Sequence, residues 1–204
     1  MTPGHTRRVL AGWIVVVAAA ATVGCQTNEI TSVWQAPDVP SGGFRSVMVI
    51  GFARTEDLRN YFESNFARDL KEVGVKGISS ASVLPEPSKQ LTRETVLAWV
   101  RDQGVEAVLT TRLINTDRQT REASLGGDLY SERGPRSWHV PTEEVTFTTF
   151  HLETRLYEAS SGRLVFRATS ATGNPVSPGS VALAVIDAMI GELSERRILA
   201  AQLP

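Results

Sequence analysis

The chain of 204 residues has one cysteine, three lysines and no long apolar run beyond its amino-terminal one. One cysteine excludes an internal disulfide, so nothing covalent staples the fold. Lysine is confined to Lys71, Lys76 and Lys89 against eighteen arginines, and the arginines are spread rather than clustered. With a formal net charge of −1, the chain carries no electrostatic footprint for nucleic acid. A single apolar run excludes a polytopic membrane protein. There is no Gly-x-x-x-x-Gly-Lys phosphate loop, no Gly-x-Gly-x-x-Gly after a strand and no Gly-x-Ser-x-Gly elbow. No cofactor and no catalytic residue is therefore expected. The 42% hydrophobic content is high enough to build a core, which excludes a disordered chain.

What is present begins with a targeting segment. Arg7 and Arg8 form a basic end, Val9 to Val23 an uncharged apolar stretch, and Gly24-Cys25 follows. That order is a secretory signal, and the run is short for a membrane span. The sole cysteine directly after Thr22-Val23-Gly24 resembles the lipobox of bacterial lipoproteins, although Thr22 stands where leucine is usual. The resemblance implies cleavage before Cys25, a diacylglyceryl thioether on its sulfur and a palmitate-type acyl group on its new amino terminus. Two or three chains would hold the protein in the bilayer, where one binds only reversibly. Gln26 stands where aspartate would favour inner-membrane retention, so the expected location is the periplasmic face of the outer membrane. Removing residues 1–24 takes away two bases and no acid, leaving a net charge of −3.

Three regions follow: a signal peptide over 1–24, a lipidated tether over 25–44 and one α/β domain over 45–204. In the tether, Pro37, Pro40, Ser41, Gly42 and Gly43 oppose regular structure. Ile30, Val33 and Trp34 within it form either a short strand or a docking plug. Ser46 to Phe52 is an almost continuous apolar run, the pattern of a buried central strand. Thr55 caps a helix carrying Leu58, Phe62, Phe66, Leu70 and Val73 on one face, and Gly74 ends it. A short strand over 75–79 and a loop marked by Pro85 and Pro87 come next. Thr92 caps a second helix to Gln103, and Val105 to Asn115 is a third strand. This strand–helix alternation implies parallel pairing. Val145 to Tyr157 and Arg163 to Ser170 form a hairpin with Leu156 opposite Leu164 and Glu153 opposite Arg167. A last helix runs from Pro178 to about Leu199. The fold class is α/β with α+β character: a two- or three-layer sandwich on a mixed sheet of about five strands.

Several residues carry the likeness to a family. They are Thr31-Ser32-Val33-Trp34, Val47-Met48-Val49-Ile50, Leu58 to Glu63, Gly74-Val75 leading to Val83-Leu84-Pro85, and Ala107 to Leu113. With their order of elements the chain resembles small bacterial lipoproteins of unknown function. Their α/β domain is similar to the N-terminal domain of the Tol-system propeller protein and the periplasmic domain of the curli secretion lipoprotein. The resemblance implies a fold. The polar 116–141 segment does not match the membrane-spanning hairpins of the curli channel.

Candidate sites are few. His139, Glu143, Glu144, His151 and Glu153 hold metal-ligating groups, but only His151 and Glu153 share a strand face, so they read as a solvated surface. Arg59 and Glu63, four apart on a helix, read as a surface pair. Trp99 reads as core. Residues 116–141 read as a long polar loop, with Ser124, Ser131 and Ser137 as turn-formers. In it Tyr130, Trp138 and His139 either anchor a partner or pack on the sheet. The expected function is a non-enzymatic, membrane-anchored binding or assembly module of the cell envelope, with the bilayer and an envelope protein as partners. Alternatives are a subunit of an oligomeric secretion complex, and a small hydrolase or ligand-binding protein using 116–141 as a lid.

Overall fold

The computed structural model describes residues 27–84, 91–124 and 142–200. Cys25, Pro85, Pro87, Tyr130, Trp138 and His139 lie outside them. The elements are β1 (Thr27–Gln35), β2 (Ser46–Phe52), α1 (Glu56–Glu72), β3 (Lys76–Ser79), α2 (Ser80–Val83), α3 (Arg93–Asp102), β4 (Ala107–Ser124), β5 (Thr142–Glu158), β6 (Leu164–Gly173) and α4 (Pro178–Glu195). One six-stranded mixed sheet has the order β1-β6-β5-β4-β2-β3. β2 pairs in parallel with β3 and β4, and the remaining pairs are antiparallel.

The two crossovers, β2 to β3 through α1 and β3 to β4 through α3, run in opposite directions across the sheet, so a common hand puts their helices on opposite faces. α1 and α4 cover one face over Val47, Val49, Leu109, Leu156 and Phe166. α3 covers only part of the other, over Met48, Ile50 and Val108, with Trp99 packed at its rim. The domain is thus three-layered at β2–β4 and two-layered at β5, β6 and β1.

Helix ends follow the local chemistry. Thr55, Thr92 and Ser177 each accept an amide hydrogen bond as N-caps. Gly74, at φ +85°, ends α1: Val75 N–H donates to Leu70 O and Gly74 N–H to Lys71 O. α1 approaches β3 where the strand has no side chain. A Cβ on Gly77 would lie 2.6 Å from the Ala67 Cα. Gly77→Ala is expected to cost about 1–3 kcal/mol in denaturant melts, because helix backbone rather than a flexible side chain must move.

One open alternative is decided and four expectations are corrected. Residues 27–35 take the strand option, adding a sixth strand antiparallel to β6. Phe44 bridges Leu199, so the domain starts well before 45. Residues 116–124 are not loop. They continue β4 and pair with 142–150, because alternating Thr, Arg and Gln suits a two-stranded ribbon with both faces wet. The β5–β6 register is Leu156↔Phe166 and Tyr157↔Leu164, not Leu156↔Leu164. Glu158 N–H bonds Arg163 O, which shifts the turn by one residue, and a bulge after Leu156 shifts it by another. Two shifts restore the same faces, so the apolar assignment survives while Glu153 faces Thr169 instead of Arg167. Lastly, α1 buries Arg59, Phe62, Glu63, Phe66, Ala67 and Leu70, while Val73 is 38% exposed. Arg59 and Glu63 are not a surface pair.

Candidate functional site

Two features stand out: a buried charge cluster at the carboxyl ends of the parallel strands, and a sheet face that the helices leave open.

The cluster centres on Glu63, which is fully buried. Its Oε1 accepts from Gly51 N–H at 2.9 Å and from Arg59 Nε at 2.9 Å. Its Oε2 accepts from Ser79 Oγ at 3.0 Å and Ala81 N–H at 2.7 Å. Ser80 Oγ lies 2.9 Å from both oxygens. Arg59 reaches on to Glu56 and Ser80. Burial opposes its charge, but the bonds and attraction of Glu63 and Glu56 outweigh this and raise its pKa. One carboxylate thus ties α1 to the end of β2 and the start of α2. Open α/β sheets commonly place ligands at such strand ends. Here the chain's own side chains fill the place, and each oxygen of the Glu63 carboxylate has at least two donors. The arrangement is a structural clamp.

The open face belongs to β4, β5, β6 and β1. Two ladder rows cross it. One runs Trp34, Arg167, Arg155, Thr110; the next runs Ser32, Thr169, Glu153, Arg112, Phe52. Trp34 and Phe52 are each 44% exposed. Glu153 is held by Arg112 at 2.9 Å and by Arg155 at 2.9 Å. Burial pushes its carboxyl up, but the hydrogen bonds from Arg155 and Arg112 win and hold it below the ordinary glutamate range. The stabilisation is therefore present above that range and lost as pH falls through the lowered value. Arg155 faces Arg167 directly, a like-charge pair on one row. These two rows carry three arginines against one glutamate and are locally basic, while Glu29 and Asp117 lie on the following rows of the same face.

His151 bonds Asp117 at 2.9 Å across the β4–β5 ladder, and Glu153 is occupied by arginines. His139 and the Glu143 side chain lie outside the described residues. Among the described residues no group of three His, Cys, Asp or Glu is placed to hold a metal ion. A separate cleft of about 660 Å³ lies at the opposite pole, between Gly42–Arg45, the α3–β4 turn and the β5–β6 turn. Glu106 on its wall accepts from Arg45 N–H at 2.6 Å. Sequence reasoning missed both the clamp and the open face. The clamp's signal was there, since Arg59 and Glu63 interleave with Phe62 and Phe66. The open face had none, because it depends on where α3 lands.

No family model matches the chain, and no curated protein matches it. Among solved structures, it is similar to a PelC dodecamer subunit from Paraburkholderia phytofirmans at 20% identity and TM-score 0.45, covering 87% of this chain and 100% of that one. A second crystal form of PelC gives 18% identity and the same score, over 86% and 99%. Lipoprotein GNA1162 from Neisseria meningitidis is similar at 13% identity and TM-score 0.41, over 74% of this chain and 98% of that one.

Proposed function

We propose that the protein is a lipid-anchored module of the bacterial envelope that binds another envelope protein and catalyses no reaction. The anchor is acylated Cys25, and Gln26 after it favours the periplasmic face of the outer membrane. The observation that carries the binding reading is the open sheet face. Trp34, Phe52 and Tyr157 stand there among Arg112, Arg155 and Arg167. Tryptophan, tyrosine and arginine are the residues that most often dominate binding energy at interfaces. The local excess of arginine on these two rows suits a partner segment that mixes acidic and apolar side chains.

The test has two arms. Fatty-acid labelling of cells should mark the wild type and not Cys25→Ser, which moves to the soluble periplasmic fraction still folded. A photoreactive residue at position 34 should give discrete adducts in envelopes, and one at Ser64 on the outer side of α1 should not. Combining Trp34→Ala with Arg167→Glu should lower capture about tenfold or more. Unlabelled wild type sinks the anchor, and identical adducts from positions 34 and 64 sink the face.

A further inference from the structure

We propose that the outer part of the β4–β5 ribbon lies along the surface of the bilayer that holds the anchor, with Val145, Phe147 and Arg121 toward the headgroups. The inference rests on acylation of Cys25; strand direction carries the rest. Thr27 pairs with Gly173, Gly173 with Thr149, and Thr149 with Asp117, so these four residues share one level across the sheet. Cys25 is two residues from that level, so its Cα lies within about 7 Å of it. β4 reaches the same level at Asp117, running towards the end from which β1 begins, and continues for seven residues to Ser124. At strand rise that is about 23 Å. The ribbon overshoots the farthest position of Cys25 by about 16 Å along the strand axis.

An upright sheet would therefore drive the ribbon into hydrocarbon whose half-thickness is about 15 Å. Arg118, Arg121 and Glu144 would enter with it, and charges there are costly. So are its free edges: β2 pairs with β4 only as far as Arg112, and β6 pairs with β5 only from Thr149. Unpaired backbone groups are not tolerated in lipid. The sheet must lean until the ribbon lies along the surface. The base of the ribbon is fixed, since Asn174 N–H donates to Thr148 O and Thr148 N–H to Asn174 Oδ1. One ribbon face suits the interface. Val145 and Phe147 are 37% and 39% exposed, and the Arg121 guanidinium lies 5.9 Å from the Phe147 ring centre. Phenylalanine buries shallowly at the boundary of headgroups and acyl chains, and arginine snorkels to the headgroups. The opposite face presents Thr120, Thr146 and Thr148.

The test uses the full acylated protein in vesicles of phosphatidylethanolamine and phosphatidylglycerol. Phe147→Cys takes an environment-sensitive fluorophore, as do Thr146→Cys on the opposite face and Ser160→Cys at the far turn; the Cys25 thioether does not react. Doxyl lipids labelled near the headgroup should quench position 147 about threefold more than position 160. Position 146 should fall between them, and doxyl groups at the chain end should quench less. Equal quenching at 147 and 160 overturns the contact, and stronger quenching from the chain end overturns the surface geometry. Intact mass of the same sample separates the two readings. Without a diacylglyceryl mass the anchor falls and this proposal with it, whereas a lipidated but unquenched protein removes only the ribbon contact.

Discussion

Glu63→Ala is expected to destabilise the domain by about 3–5 kcal/mol, the cost of removing the buried counter-charge of Arg59 and leaving it only the half-exposed Glu56. The carboxylate is fully buried, and so is Arg59 at 2% exposure. Truncation removes the acceptor for Gly51 N–H, Ala81 N–H and the Ser79 hydroxyl as well as the Arg59 guanidinium. Gly51, Arg59 and Ser79 are themselves buried, so solvent does not replace the carboxylate at these donors. Replacing both charges, with Arg59→Leu and Glu63→Leu together, should cost less than the sum of the singles, because no unpaired ion remains. It should still cost more than nothing, because the two amides and two serine hydroxyls stay unsatisfied. Urea melts of the wild type, Glu63→Ala, the two single leucine variants and the double variant decide the matter. A Glu63→Ala loss under about 1 kcal/mol would mean that the carboxylate is solvated and the clamp does not exist.

The clamp shows what in this chain was legible and what was not. Elements with strong local signals are where the periodicity puts them: Ser46–Phe52, the helix after Thr55, the helix after Thr92 and the helix after Ser177. Their apolar spacing and caps are short-range chemistry. Arg59 and Glu63 read as surface residues by charge type, but their angle on the helix is what buries them. At about 100° per residue Arg59 lies only about 20° from Phe66, near the centre of the buried arc. Nothing local says that Ser79 and Ser80, more than a dozen residues on, supply the partners. The register of β5 and β6 failed for a similar reason. Alternation fixes which face a residue takes but not which residue it meets, and a bulge can shift the pairing without changing the faces. The ribbon has the polarity that usually marks a loop. A ladder with solvent on both faces needs no apolar stripe, only β-branched residues and pairing backbones, and Thr116, Thr120, Thr146 and Thr148 supply the first. The open face depends on α3 covering two or three strands of six, a tertiary fact with no trace in any single segment.

Phe66→Ala is expected to cost about 3–5 kcal/mol, whereas Val73→Ala should stay within about 0.5 kcal/mol. Spacing alone puts both side chains on one stripe of the first helix, so their contrast tests the packing rather than the pattern. Phe66 is fully buried, meets the Phe62 ring edge-on at 5.6 Å and packs against the face of the sheet that α1 shares with α4. Removing its ring leaves a cavity between two helices and a strand that cannot all close at once. Gly77 already brings the α1 backbone to its limit at β3, and Glu63 holds the same helix to Gly51. Collapse is therefore restricted on two sides, which favours the upper part of the range. Val73 is the C-cap, where the chain turns away through Gly74, and it is 38% exposed. Its methyls leave water only in part, so truncation loses little. Equal losses at the two positions would mean that the end of α1 is packed as tightly as its middle, and the helix would have to continue past Gly74 to bury Val73.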